Sequence, residues 1–366
     1  KPKASTTLVS PITERTAFVW GDVLDDGGCS SRGVFRFRNL SAGDPWVVEV
    51  TARQHATGDS FGLILTGLVP GATYQFSAAL ENPAGRSAWG GDINFKTLPF
   101  KVSDDHIKHL QSAIDMAVDG TTIIVAGDTL RESVDLGSKE LYIFGSNMPT
   151  LIGDDVNPTI KVAGGQSNQT IIRGLRILGG GAAGIYCKGS SPIIENCIVT
   201  GSRGNGMVFS GSSAKVRNCT IALNSALPGQ AAVTCWDSPI TIWNTIIAQN
   251  RPEMVSIFAP TDQPAVTYSN VEGGWDGTGN IDADPLFSEL GDLRLMSEEG
   301  RWNGSAWVVD AMTSPCVDAG GPAAKVGSEP APNGGIINMG AFGGTDQASM
   351  TPPPPPEPEP TEEPAG

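Results

Sequence analysis

The chain has 366 residues, 39% of them hydrophobic, with 46 Gly, 27 Pro and a formal charge of −15. This is a globular composition rich in turns and poor in helix signals. Its acidic surface repels phosphate backbones and anionic lipid, which argues against nucleic-acid or membrane-surface partners, and no apolar run approaches the ~20 residues of a membrane span.

Residues 1–99 alternate apolar and polar side chains, as in "TAFVWGDV" and "GVFRFRNL", with turn residues between the runs. That pattern predicts a β-sandwich. Lys1 reads as the start of a mature or trimmed chain, with no leader segment before it. Near the end of this stretch, Leu68, Pro70, Gly71 and Tyr74 form a Leu-x-Pro-Gly-x-x-Tyr corner. Asn82 and Gly85 follow, then a closing Phe95-x-Thr97. These residues resemble the last strands of a fibronectin type III domain. The resemblance implies a spacer or binding module in an extracellular, modular protein.

Residues 100–349 open with "DDHIKHLQSAIDMAVDG". Here Asp104 or Asp105 is placed to cap a helix whose apolar positions are Ile107, Leu110, Ile114 and Ala117. The strand "TTIIVAG" comes next. A helix followed by a strand resembles the N-terminal cap of pectate-lyase-like right-handed parallel β-helices.

A repeat then emerges. Gly174, Asn196 and Asn218 are spaced by 22 residues, and Asn244 and Asn270 follow at spacings of 26. Glycine and asparagine share low-cost access to the left-handed backbone region, so this column reads as a bend residue. Stacked asparagines can also hydrogen-bond to one another. Two places before the bend stand Ile172, Ile194, Val216, Ile242 and Tyr268. One place after it stand Leu175, Cys197, Cys219, Thr245 and Val271, and three places after it Ile177, Val199, Ile221, Ile247 and Gly273. Arg173, Glu195, Arg217, Trp243 and Ser269 immediately precede the bend and point outward on this alignment. Period-2 alternation kept in register over five rungs predicts a parallel β-helix with like residues stacked about 4.8 Å apart. Cys197 and Cys219 become buried thiols within it, with a disulfide between them conceivable at that spacing.

The C-terminal part carries "YSNVEGGWDGTGNIDADPLF", "SPCVDAGGP" and "INMGAFGGT". These resemble the ends of secreted bacterial right-handed β-helix repeat proteins of the choice-of-anchor Q type. That family implies an extracellular or cell-surface location and a removable or fused anchoring segment, with no single agreed activity. Residues 350–366, "MTPPPPPEPEPTEEPAG", read as an acidic polyproline II tail or linker that cannot join a core. The expected fold is therefore all-β. A fibronectin type III-like sandwich precedes a right-handed parallel β-helix with an N-terminal capping helix, and a Pro-rich tail follows.

Site residues are sparse. The six cysteines include no CxxC pair, which argues against zinc, and His55, His106 and His109 all precede the repeat. Hydrolases of this fold need paired aspartates on adjacent coils, and no such pair recurs at coil spacing. Lyases need a base and a cation beside a uronate carboxylate; Arg173, Lys188, Glu195, Lys215 and Arg217 are the candidates. The plainer reading of Arg173, Glu195 and Arg217 is an alternating ion-pair ladder. Asp276, Asn280, Asp282 and Asp284 are oxygen donors suited to calcium, and no other cofactor is expected. Trp236, Trp243, Trp275, Trp302 and Trp307 are candidates for stacking on sugars.

The function these features favour is a structural or adhesive surface protein; they lean away from catalysis and leave it open. Self-assembly into a homopolymer would run through the N-terminal strand or the C-terminal tail. The alternatives are a lyase acting on acidic polysaccharide and a non-catalytic carbohydrate-binding module.

Overall fold

The computed structural model describes residues 1–103, 106–226, 231–251, 257–289 and 291–352. The expected helix caps Asp104 and Asp105, and nearly all of the Pro-rich tail, lie outside the described residues. The chain divides into two compact units. One holds Lys1–Asp154, Pro158–Leu175 and Tyr186–Ile193; the other holds Asp155–Asn157, Arg176–Ile185 and Ile194 onward.

The first unit begins with an antiparallel sandwich. Its strands are β1 (Lys3–Ile12), β2 (Ala17–Asp25), β3 (Ser31–Asn39), β4 (Val47–His55), β5 (Ser60–Leu65), β6 (Thr73–Asn82), β7 (Gly85–Arg86) and β8 (Ile93–Lys96). One sheet has the order β1-β2-β5. The other runs β4-β3-β6-β7, with β8 also on β6. In β2, alternate residues Ala17, Val19 and Val23 face inward, and they join Phe35, Phe61, Leu65, Phe76 and Leu80 in one core. Burying each large side chain contributes about 1.5–3 kcal/mol. The Tyr74 hydroxyl accepts the Val69 amide at 3.0 Å, which ties the corner to its own strand. Strand β1 is the edge strand of its sheet and pairs with β2 from Lys3 to Ile12.

Strand β9 (Phe100–Val102) pairs in parallel with β10 (Thr121–Val125), and α1 (Leu110–Met116) lies between them in sequence. The helix is shorter than the sequence pattern implies: Ile107 precedes it and Ala117 is its C-cap. Its N-cap, His109, makes no side-chain cap bond. Instead the Glu132 carboxylate, just after the strand Thr129–Arg131, accepts the Leu110 and Gln111 amides at 2.8 and 3.1 Å, satisfying two free helix donors.

Among the described residues, the chain from β9 to Val271 is a parallel β-solenoid with sheets of eight, seven and six strands. In the first unit Ile123, Ile143 and Ile172 stand in register and are fully buried. In the second, Ile177, Val199, Ile221, Ile247 and Val271 form an aligned inner column, and Val216, Ile242 and Val266 form another. Short strands with one inward side chain per coil bury an apolar stack while the backbone pairs with the coils on either side.

Replacing Tyr74 with Phe leaves the Val69 amide without its acceptor. The expected loss is about 1–2 kcal/mol, read as a lower urea midpoint for the sandwich transition with the solenoid transition unchanged.

Candidate functional site

The solenoid turns at corners where the backbone is left-handed. Gly174, Asn196, Asn218 and Asn244 have φ of 70°, 48°, 47° and 50°. Asn270 does not belong to this column. Trp243 aligns with Thr267, so Tyr268 takes the corner at φ 48°, two residues earlier than the asparagine spacing implies. Val266, not Tyr268, then faces inward, and Val271 stands in the column expected for Gly273. Tyr268 is held there by its amide, which donates to Thr278 O at 2.9 Å. Asn270 is buried within a strand. Its Nδ2 donates to Ala283 O at 2.8 Å and to Cys316 Sγ at 3.2 Å.

The corner asparagines do not bond to one another. They bind the C-terminal segment. Asn196 Nδ2 donates to Ala341 O at 3.0 Å and Gly343 O at 2.9 Å. Asn218 Nδ2 donates to Asn338 O at 3.4 Å, and Asn244 Oδ1 accepts the Gly321 amide at 2.7 Å. An amide ladder does exist, at a different corner: Asn224 Nδ2 donates to Asn250 Oδ1 at 3.0 Å. The sequence does carry a signal for it, because these two asparagines are 26 residues apart, the spacing of Asn218 and Asn244.

Of the outward charged candidates, Glu195 and Arg217 form an ion pair at 2.6 Å, with the Glu195 side chain 13% exposed. Arg173 ends strand Ile171–Arg173, and Lys215 starts strand Lys215–Arg217 in the same sheet as Glu195. Lys188 ends a strand of a different sheet, so the five residues do not share one face. A partly exposed pair such as Glu195–Arg217 contributes up to about 1 kcal/mol and helps to fix register.

The calcium candidates are engaged in holding a loop. Asn280 Oδ1 accepts the Ser269 amide at 3.1 Å, while its Nδ2 donates to Val266 O and Trp275 O, each at 3.0 Å. Asp282 accepts the Gly273 amide at 3.2 Å and Asp284 the Leu286 amide at 3.0 Å. Asp276 lines an open cleft with Trp275, Gln263 and Pro264. Among the described residues, no three His, Cys, Asp or Glu side chains gather as a metal site.

Cys197 and Cys219 are buried and are not joined in a disulfide. Each donates to a carbonyl two residues back, Cys197 to Glu195 O at 3.3 Å and Cys219 to Arg217 O at 3.4 Å. Burial pushes the Cys219 thiol well above its usual range. Among the tryptophans, Trp236 is 44% exposed and meets Phe258 edge-on at 5.3 Å. Trp243 lies under Gly321, where a Cβ would come within 2.6 Å of the indole nitrogen. Trp302 and Trp307 face each other across a hairpin.

No sequence motif marks Glu329, which is 7% exposed. Its Oε1 accepts the Asn338 amide at 2.9 Å and the Gly344 amide at 2.7 Å, while its buried Oε2 has no partner. Burial raises its pKa to about 7, aided by the charge of Asp318 and opposed by the two amides.

Residues 160–277 match the family model described as a right-handed β-helix region. The solenoid is a right-handed β-helix. No curated protein matches the chain. Among solved structures, the sensor domain of the anti-sigma factor RsgI4 from Pseudobacteroides cellulosolvens is 24% identical. That match covers 26% of this chain and 94% of the other, with a TM-score of 0.20. A human fibronectin type III domain, from fibronectin type III domain containing protein 3, is 13% identical over 26% of this chain and 84% of its own, at a TM-score of 0.21. Pectate lyase Pel3 from Pectobacterium carotovorum is 12% identical over 81% of this chain and 84% of the enzyme, at 0.18.

The corner chemistry can be tested by substitution. Asn196→Ala loses both bonds to the C-terminal segment and strains a left-handed residue, at a combined cost of roughly 3 kcal/mol. Asn196→Gly loses only the bonds, so denaturation midpoints should rank wild type above Gly above Ala. Glu329 folds with a raised pKa, so its contribution to stability is complete below the ordinary 4.5 and is lost as pH rises through about 7. Glu329→Gln should flatten that fall in melting temperature and leave the variant the more stable protein above neutrality.

Proposed function

We propose that this chain is a modular structural or adhesive component of the bacterial cell surface, in which the β-helix serves as a stiff spacer. The observation that carries this reading is the closed Glu195–Arg217 pair at 2.6 Å. An eliminating enzyme must present a base to the sugar and a cation to its carboxylate. Here the carboxylate and the guanidinium neutralise each other. The corner asparagines hold the terminal segment, and Asn280, Asp282 and Asp284 hold a loop. These polar groups are thus engaged in closure and register.

A second reading, carbohydrate binding without turnover, is favoured by one feature. Exposed Trp236, braced edge-on by Phe258, offers a flat apolar face to a pyranose ring.

Incubation with pectate, alginate and glycosaminoglycans, with and without calcium, distinguishes structure from catalysis. No rise in unsaturated-product absorbance is expected. A rise with any of these polymers would establish a lyase and overturn the proposal. Retention of the protein on an immobilised glycan, abolished by Trp236→Ala, would favour the second reading.

A further inference from the structure

The outer face of the β4-β3-β6-β7 sheet carries cations and indoles in alternation. On β3, Phe35 packs into the core, so Arg36 and Arg38 at the alternate positions share the opposite face. Trp46, just before β4, meets both: its ring centre is 4.2 Å from the Arg36 guanidinium carbon and 4.5 Å from that of Arg38. Trp89, after β7, meets Arg36 at 4.7 Å and Arg86 at 5.7 Å. The contacts therefore run Arg38–Trp46–Arg36–Trp89–Arg86, all within the first compact unit.

The charges on this face are unevenly matched. Arg36 Nε donates to Ser77 Oγ at 2.7 Å and its Nη2 to Asp92 at 3.1 Å, and Arg86 pairs with Glu81 at 3.3 Å. Arg38 differs. Its Nε and Nη2 both donate to the neutral Gln75 Oε1, at 3.1 and 2.7 Å, and among the described residues it has no carboxylate partner. On β8, Phe95 packs into the core, which turns Lys96 outward. Lys96 is exposed and likewise has no carboxylate partner among the described residues. In a chain of formal charge −15, this face keeps positive charge that its own carboxylates do not neutralise.

We propose that this face binds a linear polysaccharide bearing carboxylate or sulfate groups, an inference that rests on the adhesive reading above. A guanidinium is a planar fork matched to such anions, and Arg38 spends only two of its five donors on Gln75. Stacking on the indoles already fixes the arginine rotamers, so little side-chain entropy is lost when an anion arrives. A row of cations suits an extended polymer whose charges recur along its length. Val48 and Val50, beside the row on β4 and each 46% exposed, offer apolar surface to the C–H faces of the sugar rings. The rest of this acidic chain repels a polyanion, and at 0.1 M salt charges more than about 10 Å away are largely screened, so binding is local to the face and weakens with salt.

The test passes the full chain over immobilised polygalacturonate, heparin and neutral dextran at low salt. Retention on the charged polymers, release by added salt and passage through dextran are expected. Arg38→Gln and Lys96→Gln should each weaken binding roughly fivefold and together flatten its salt dependence. Lys325→Gln, at an exposed lysine of the other unit, should leave retention unchanged. Melting temperatures check that the variants fold; if Arg38→Gln does not, the exposed Lys96→Gln carries the test. The proposal is overturned if neither charged polymer retains the chain, or if retention is the same in both variants. A salt-sensitive dimer in the absence of polymer, lost in Lys96→Gln, would assign the face to a second copy and also overturn it. Retention accompanied by unsaturated product would keep this face and overturn only the non-catalytic reading.

Discussion

A coil of this solenoid can close only where the backbone reverses handedness for one residue. An L-residue in the left-handed region costs about 1–2 kcal/mol unless it is glycine or an asparagine or aspartate that can offset the strain locally. The coils from Gly174 to Tyr268 meet that requirement one after another, each hydrogen-bonded to the next in one sheet. The stacking of apolar residues, the parallel pairing and the alternation of inward and outward side chains all follow from that repeated reversal.

The residue types at the corners also decide what else the corners can do. Glycine at position 174 turns the chain and offers nothing further. Asparagine at 196, 218 and 244 turns the chain and presents an amide, and those amides hold the backbone of the C-terminal segment between Gly321 and Gly343. The same side chain thereby relieves local strain and supplies long-range attachment. Glu329 and Asn338 continue the scheme within the terminal segment itself. Asn338 passes its amide hydrogen to Glu329, accepts the Asp318 amide on Oδ1, and donates to Ser349 O. A carboxyl buried at such a junction makes the attachment sensitive to pH, since its charged form is poorly solvated there.

What could be read from the sequence follows from this division. The sandwich, the parallel solenoid and the corners at Gly174, Asn196, Asn218 and Asn244 were legible because their residues are chosen for local backbone preference or for period-2 burial. The fifth corner was not. Tyr268 has no preference for φ 48°; it is placed there by pairing of the flanking strand with Thr241–Trp243. Leu223 and Gln249 adopt φ of 60° and 56° at the second series of corners for the same kind of reason, with the Leu223 amide bonded to Gln249 O. Stacking against an adjacent coil imposes these conformations, and no single-residue signal records it. Nor does local sequence reveal that the asparagine amides bind the terminal segment in place of one another, because their true partners lie 120 and 145 residues away along the chain.

The same reasoning bears on function. A β-helix that used its outer surface for chemistry would need polar groups left over after closure and register are satisfied. In this chain the asparagines, the Glu195–Arg217 pair and the Asn280 loop each meet a structural demand that arises from building a closed rod out of short strands. Chemistry that requires unpaired charge would have to be added against that demand, at a cost in coil alignment. The indoles of Trp236 and Trp307, 44% and 39% exposed, stand outside that demand.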